Sequence, residues 1–311
     1  MLAFLAKRVG ASLAILIGIT LITFSLSFLI PADPVRMLAG KSASPEAVES
    51  IRHELGLDQP LPVQYAKYLL RLFQGDLGRS YKQKTRVTEL ILSRLPATLL
   101  LMAGAIFFEL LIGIPAGIYA AARRGHKTDN LAMTMSFVGV SAPQFVVGLL
   151  LIYVLAHKWG LFPLGGYGTW RHLILPAFTL GITGAGWYSR MMRSSMVDVL
   201  QQDYIRTARA KGVGELTVVL LHGLRNAILP VIAMIGLDVG FFMSGAVVVE
   251  SVFGWPGIGQ LAWQAIQVID IPIIMGVTLV AAVSIVIGNF LADLVMPLID
   301  PRLRPHQRTN N

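Results

Sequence analysis

The chain has 311 residues, of which 55% are hydrophobic and only 14% charged, with a mean hydropathy of +0.66. Soluble domains carry about 25% charged residues, and the apolar residues here come in long blocks, so the composition points to a polytopic membrane protein and not to a large soluble core. The formal net charge of +9 fits basic loops that orient spans and meet anionic membrane lipid. No motif that reads RNA or DNA accompanies it, and nucleic acid is not expected as a partner. The absence of cysteine excludes disulfides, thiolate metal sites and a cysteine nucleophile.

In chain order, residues 9–30 form an almost uncharged run behind Lys7 and Arg8. It is longer than the core of a signal peptide, so an uncleaved first span is expected over 1–30. Residues 31–96 are too many for a simple connection and should be partly folded. Ser44, Pro45 and Glu46 make a helix start, with a capping hydroxyl, proline at the first helical position and an acid in the first turn. Gly56 supplies the stop. A second helix is expected over 61–74, where Tyr65, Leu69 and Leu72 recur at helical spacing before Gly75. Residues 90–95 then lead into span two, with Pro96 where that span begins. This segment reads either as a cap packed on the outer membrane face or as a docking surface, and the two are compatible.

Further spans are expected over 97–122, 131–156, 173–188, 228–249 and 273–296, each long enough to cross about 30 Å of hydrocarbon. The fourth is the weakest, since it carries Gly181, Gly184 and Gly186. Arg123, Arg124 and Lys127 follow span two, and Arg190, Arg193, Arg206, Arg209, Lys211 and Arg225 lie between spans four and five, whereas 251–272 holds no Lys or Arg. The positive-inside rule then puts both termini, the 301–311 tail and the 189–227 loop in the cytoplasm.

Within that loop Asp203 is expected to cap a two-turn helix over 204–211, which Gly212 ends. Two turns are marginal in water and need a surface to pack on. Thr207, Ala208 and Ala210 are small enough for close approach, and Arg206 and Arg209, three apart, suit carboxylates. An amphipathic turn lying on anionic lipid is the alternative. A second helix is expected over 215–226, running into span five.

Two acids fall inside spans, Glu109 in the second and Asp238 in the fifth between Gly236 and Gly240. Charged groups there are costly and face a partner or a cavity. Each reads either as paired with a neighbouring helix or protonated, or, for the translocation pathway, as an acid suited to a cationic group such as a peptide amino terminus. Asp293 lies near the end of the last span, where it can snorkel or pair. The six histidines are scattered without metal-ligand spacing, no catalytic constellation is evident, and no internal repeat is visible.

Asp203-Tyr204-Ile205-Arg206-Thr207-Ala208-Arg209-Ala210-Lys211-Gly212, followed by His222-Gly223-Leu224-Arg225-Asn226 and Leu229-Pro230, resembles the coupling-loop signature of ATP-binding-cassette importer permeases of the dipeptide/oligopeptide/nickel type. Asp33-Pro34, Leu55 to Pro60, Gly75-Asp76-Leu77-Gly78, Trp255-Pro256-Gly257-Ile258-Gly259 and Asp300-Pro301-Arg302 agree in order and spacing, so the resemblance covers the whole chain. The chain departs from the broader family where that begins Glu-Ala-Ala, since Arg206, Thr207 and Ala208 stand there, and Ala32 replaces a common glycine. The resemblance implies an all-α polytopic membrane protein. It would have six transmembrane helices, a long, partly helical extracytoplasmic loop after the first span, and a cytoplasmic coupling helix between spans four and five. The permease core is expected over 97–300. It implies a bacterial inner-membrane permease for peptides or a related small solute (glutathione, a nickel chelate), paired with a second homologous permease, two cytoplasmic ATPases and an extracytoplasmic solute-binding protein. ATP and Mg would be bound by the ATPases and no cofactor by this chain, which carries no Gly-x-x-x-x-Gly-Lys-Ser/Thr. The rival reading is a self-sufficient secondary transporter or channel, which has no need of a docking helix.

Overall fold

The computed structural model describes residues 2–29, 35, 44–54, 56–243 and 245–299. Ala32, Asp33-Pro34, Leu55 and the 300–311 segment lie outside them, as do the side chains of Lys7, Arg8 and Asp293. The described residues are helical throughout, apart from turns and one isolated bridge between Arg79 and Arg86.

The chain opens with α1 (Leu2–Leu29). Next comes α2 (Pro45–Glu54), where the Ala47 amide donates to Ser44 Oγ at 3.2 Å as the capping pattern requires. It stops at Gly56 (φ +66°). Helix α3 (Leu61–Phe73) ends before Gly75 (φ +74°). It lies on α1, where Tyr65 and Tyr68 meet Phe24 at ring distances of 5.3 and 5.8 Å and Tyr65 shares a hydrogen bond with Thr20.

Helix α4 (Val87–Ala122) is continuous through Pro96 and Pro115. The helix begins at Val87, so the 90–95 stretch leads into span two as one helix, with Pro96 inside it. Asp270 clips the preceding loop down, its carboxylate accepting from Ser80 Oγ at 2.5 Å and from the Tyr81 and Lys82 amides at 3.1 Å.

The third expected span, 131–156, is not one straight helix. Helices α5 (Lys127–Ser141) and α6 (Gln144–Lys158) meet at 97°, and α6 widens to π geometry after Leu151. Pro143 is the cause, because it drives Ala142 to an extended backbone (φ −72°, ψ 125°). Helix α7 (Trp170–Leu200) is twice as long as the sixteen residues expected for span four. The short α8 (Asp203–Ala210) and the partly π-helical α9 (Glu215–Ala227) follow. Then α10 (Leu229–Met243) turns by 48° from α9. The fifth span, expected over 228–249, is likewise corrected: α10 stops at Met243, and a break containing Gly245 (φ +100°) separates it from α11 (Val247–Phe253). Helices α12 (Ile258–Gln267) and α13 (Ile271–Ile299) complete the chain.

By length and composition α4 and the 271–292 part of α13 can each cross a membrane, as can the bent pairs α5–α6 and α9–α10 if each counts as one span. The 9–25 stretch of α1 is apolar but shorter.

Packing gives the helix directions. A Cβ on Gly104 would lie 2.9 Å from that of Ala177, and one on Gly113 would lie 2.5 Å from that of Tyr188, so α4 and α7 run parallel in close contact. A parallel pair needs a return crossing. The α5–α6 pair supplies it, running antiparallel to α7 from the Asp129–Arg193 contact past Gly139 and Ile182 to Gly148 and Thr179. Helices α10 and α13 pack antiparallel, Gly236 on Ala292 and Gly240 on Ile285. Trp255, fully buried, donates its indole N–H to the Ala97 carbonyl at 2.9 Å, and the Ile258 amide donates to Thr98 Oγ1 at 2.8 Å. The Trp255–Gly259 motif thus fastens α11 and α12 to α4. Gly257 and Gly259 lie against the buried Glu250 carboxylate, which also accepts from the Gln260 amide at 2.7 Å.

Candidate functional site

Two regions hold the residues singled out by sequence, and they lie at different levels of α7. The first is α8. It starts at Asp203, with Gln202 as the residue before the first turn, so Asp203 is the acid of that turn and not its cap, and Lys211 is the residue after its end. Gly212 (φ +78°) stops it as expected. Ile205 is fully buried and is the only buried residue of α8. Asp203, Tyr204, Arg206, Thr207, Arg209, Ala210, Lys211 and Gly212 are exposed, with Ala208 half-buried among them.

Side chains from α9 hold this helix in place. Asn226 Nδ2 donates to the Tyr204 hydroxyl at 2.7 Å. Arg209 grips Glu215 with two bonds, Nε to Oε2 at 3.0 Å and Nη2 to Oε1 at 2.6 Å. That hydrogen-bonded pair lowers the Glu215 carboxyl below its usual range and raises the Arg209 guanidinium. Arg206 reaches only Asp203, at 3.5 Å along its own helix. Of the two arginines expected to meet carboxylates, Arg209 is thus committed within the chain and Arg206 is left facing outward. Below α8, Met192, Met196, Val219, Ala227 and Val231 form a buried cluster that joins α7 to α9 and α10.

One level up, Asp129 of α5 is buried and takes Arg193 of α7 in a two-bond pair, Nε to Oδ1 at 2.6 Å and Nη2 to Oδ2 at 2.7 Å. Asp129 also accepts from the Gly125 amide at 3.0 Å.

The second region brings Glu109 and Asp238 together from α4 and α10. Tyr188 of α7, which sequence reading had used only to mark a span boundary, joins them: its hydroxyl donates to Asp238 Oδ2. Glu109 is 3% exposed and Tyr188 1%, while Asp238 is half-buried. The Glu109 carboxylate lies directly over Gly184, one turn before Tyr188, where a Cβ would collide with it. A Gly-x-x-x-Tyr pair on one helix face, opposite an acid in another span, is the signal that could have found Tyr188. Among the described residues no group of three or more His, Cys, Asp or Glu could hold a metal ion.

A helical membrane protein with glycine-packed spans and a short helix held out on its own struts has the form of a transport subunit that docks a separate partner. The family model described as "Binding-protein-dependent transport system inner membrane component" matches residues 113–305, and its N-terminal companion matches residues 1–102; the chain belongs to this family. It is 40% identical over 304 residues to the glutathione transport system permease protein GsiC of Escherichia coli (strain K12), covering 98% of this chain and 99% of that one. The identity and coverage are the same for the GsiC of Salmonella typhimurium. Among solved structures, the MetNI methionine ABC transporter in inward-facing conformations shares the fold, with a TM-score of 0.58 at 18% identity over 68% of this chain and 96% of that one. The protein is therefore a permease subunit of an ATP-binding-cassette importer of the peptide/nickel type. It is not itself an enzyme, and such a subunit works in the inner membrane with ATPase and binding-protein partners.

Proposed function

We propose that α8 is the coupling helix, seated in a groove of a cytoplasmic ATPase, and that the chain forms half of a translocation pathway for peptides or a related small solute such as glutathione or a nickel chelate. A second homologous permease supplies the other half, with two ATPases beneath and one solute-binding protein outside. The observation that carries this reading is the mounting of α8: one buried residue, Ile205, and three struts from Tyr204 and Arg209 leave its remaining surface outward. The name of the GsiC relatives, a glutathione transport system permease protein, supports glutathione within that class.

Six spans, formed by α1, α4, α5–α6, α7, α10 and α13, put both termini and α8 in the cytoplasm. The parallel packing of α4 on α7 supports this order, because it requires the bent α5–α6 pair to cross between them. Asp238, with Glu109 and Tyr188 behind it, is the acid placed to meet a cationic group on the pathway. Coupling is tested by co-purifying the permease pair with its ATPases and measuring ATP-driven uptake. Arg206→Glu or Ala208→Trp should abolish uptake and weaken ATPase retention while leaving membrane insertion intact. Undiminished uptake with either change removes the coupling assignment.

A further inference from the structure

Arg190 lies on α7 two residues past Tyr188 and three before Arg193, one turn inside the Asp129 pair. Its guanidinium carbon stands 4.3 Å from the centre of the Trp187 ring and 4.8 Å from that of Phe137, so it is stacked on both. Its neighbour Arg193 is neutralised by Asp129. Arg190 has no such partner: its Nε and Nη2 are enclosed without a hydrogen-bond acceptor among the described residues. Nη1 is the one guanidinium nitrogen outside that enclosure.

A cation in a membrane helix is costly, and enclosed donors without acceptors add to that cost. Stacking on two rings recovers part of it and fixes the guanidinium plane, so the group is held where it is and does not swing into water. Nη1 is the nitrogen an outside group can reach, and the oxygen of an anion is its natural partner. The surroundings identify which anion. The two rings are each 56% exposed, and Val138 and Met191 beside them are 57% and 38% exposed, so the site opens onto an apolar outer face. Leu131 and Met135 continue that face along α5. The exposed cations Arg123, Arg124 and Lys127 stand at the same end of the bundle, beyond the level of Arg193.

We propose that Arg190, framed by Phe137 and Trp187, binds the phosphate of an anionic phospholipid in the leaflet on the α8 side of the membrane. The acyl chains lie along the apolar face of α5, and Arg123, Arg124 and Lys127 hold the negative headgroup.

The test uses the assembled importer, stripped of lipid in detergent and titrated with phosphatidylglycerol or phosphatidylcholine. Bound lipid is counted by native mass spectrometry, and Trp187 emission is followed against a Trp187→Phe control. Wild type should bind phosphatidylglycerol about five- to ten-fold more tightly than Arg190→Gln. Arg190→Lys should fall between them, since it keeps the charge and loses the plane. Equal binding by wild type and Arg190→Gln overturns the proposal. So does unchanged lipid retention combined with a raised KM for uptake, which would assign Arg190 to a substrate carboxylate. If Arg190→Gln does not assemble, the wild-type titration decides: an equal Trp187 response to both lipids overturns the site.

Discussion

Glu109 and Gly184 form a single packing unit. The carboxyl of the one occupies the space that a side chain on the other would need. Gly184→Ala should therefore cost about 1–3 kcal/mol through overpacking, read as a lower midpoint of thermal unfolding in detergent. Adding Glu109→Ala should recover most of that loss, because the double variant removes the obstacle, and a cycle of the four proteins isolates the coupling. Additive losses would place the Glu109 carboxyl away from Gly184. Asp238 adjoins this unit, its carboxyl meeting both Glu109 and the Tyr188 hydroxyl. Asp238→Asn keeps an acceptor for the Tyr188 hydroxyl, so stability should hold, while uptake of an amine-bearing substrate should drop about ten-fold if the carboxylate meets its ammonium. Uptake equal to wild type across substrates would leave Asp238 with a packing role only.

Between elements, the Asp129–Arg193 pair is the polar link from α5 to α7. Removing one partner of a buried pair costs about 3–5 kcal/mol; Asp129→Ala should fall below that range because the Arg193 side chain keeps 28% exposure. Unfolding midpoints of wild type and Asp129→Ala in detergent would report that loss, and equal midpoints would leave the pair without a structural role. This pair was not read from the sequence, where Arg193 counted only as an inside charge and Asp129 lay just outside a span. Capping chemistry was more legible: Ser44, Gly56, Gly75 and Gly212 each act where expected, because those signals are local. Hydropathy windows fail at breaks. Ala142-Pro143 and Gly245 sit inside apolar runs that stay apolar through the bend, so composition reads one span where the backbone makes two helices. Tyr188 escaped because its partner, Asp238, comes from another helix far along the chain, and so does Phe137, which completes the Arg190 stack.

For the molecule as a whole, two close helix pairs stand out. One is α4 with α7, lined by Gly104, Gly113, Gly117 and Gly181; the other is α10 with α13, lined by Gly236, Gly240 and Gly288. Such backbone contact leaves no room for sliding without collision, so each pair moves as a body. Between the pairs run the Tyr188–Asp238 hydrogen bond, the side-chain cluster around Met192 and Met196, a second cluster of Val87 and Ile91 with Met243, Ile273 and Val277, and one close glycine contact, Gly276 of α13 against Val87 and Ile91 of α4. The α8–α9 mount joins both pairs, through that cluster to α7 and through the 48° bend to α10. In the proposed coupling role, a push on α8 would turn one pair against the other, a rigid-body switch between two packings. The cysteine-free sequence allows a clean test. The ideal Cβ of position 104 lies 2.9 Å from that of Ala177, and a disulfide takes about 3.8 Å, so Gly104→Cys with Ala177→Cys should oxidise after a small shift. A bond inside one rigid pair should leave ATP-driven uptake within about two-fold of the reduced protein, since that pair does not change its internal packing during the switch. Loss of uptake on oxidation, restored by reductant, would show that α4 and α7 must part during transport, and the moving boundary would then lie inside the pair rather than between the two.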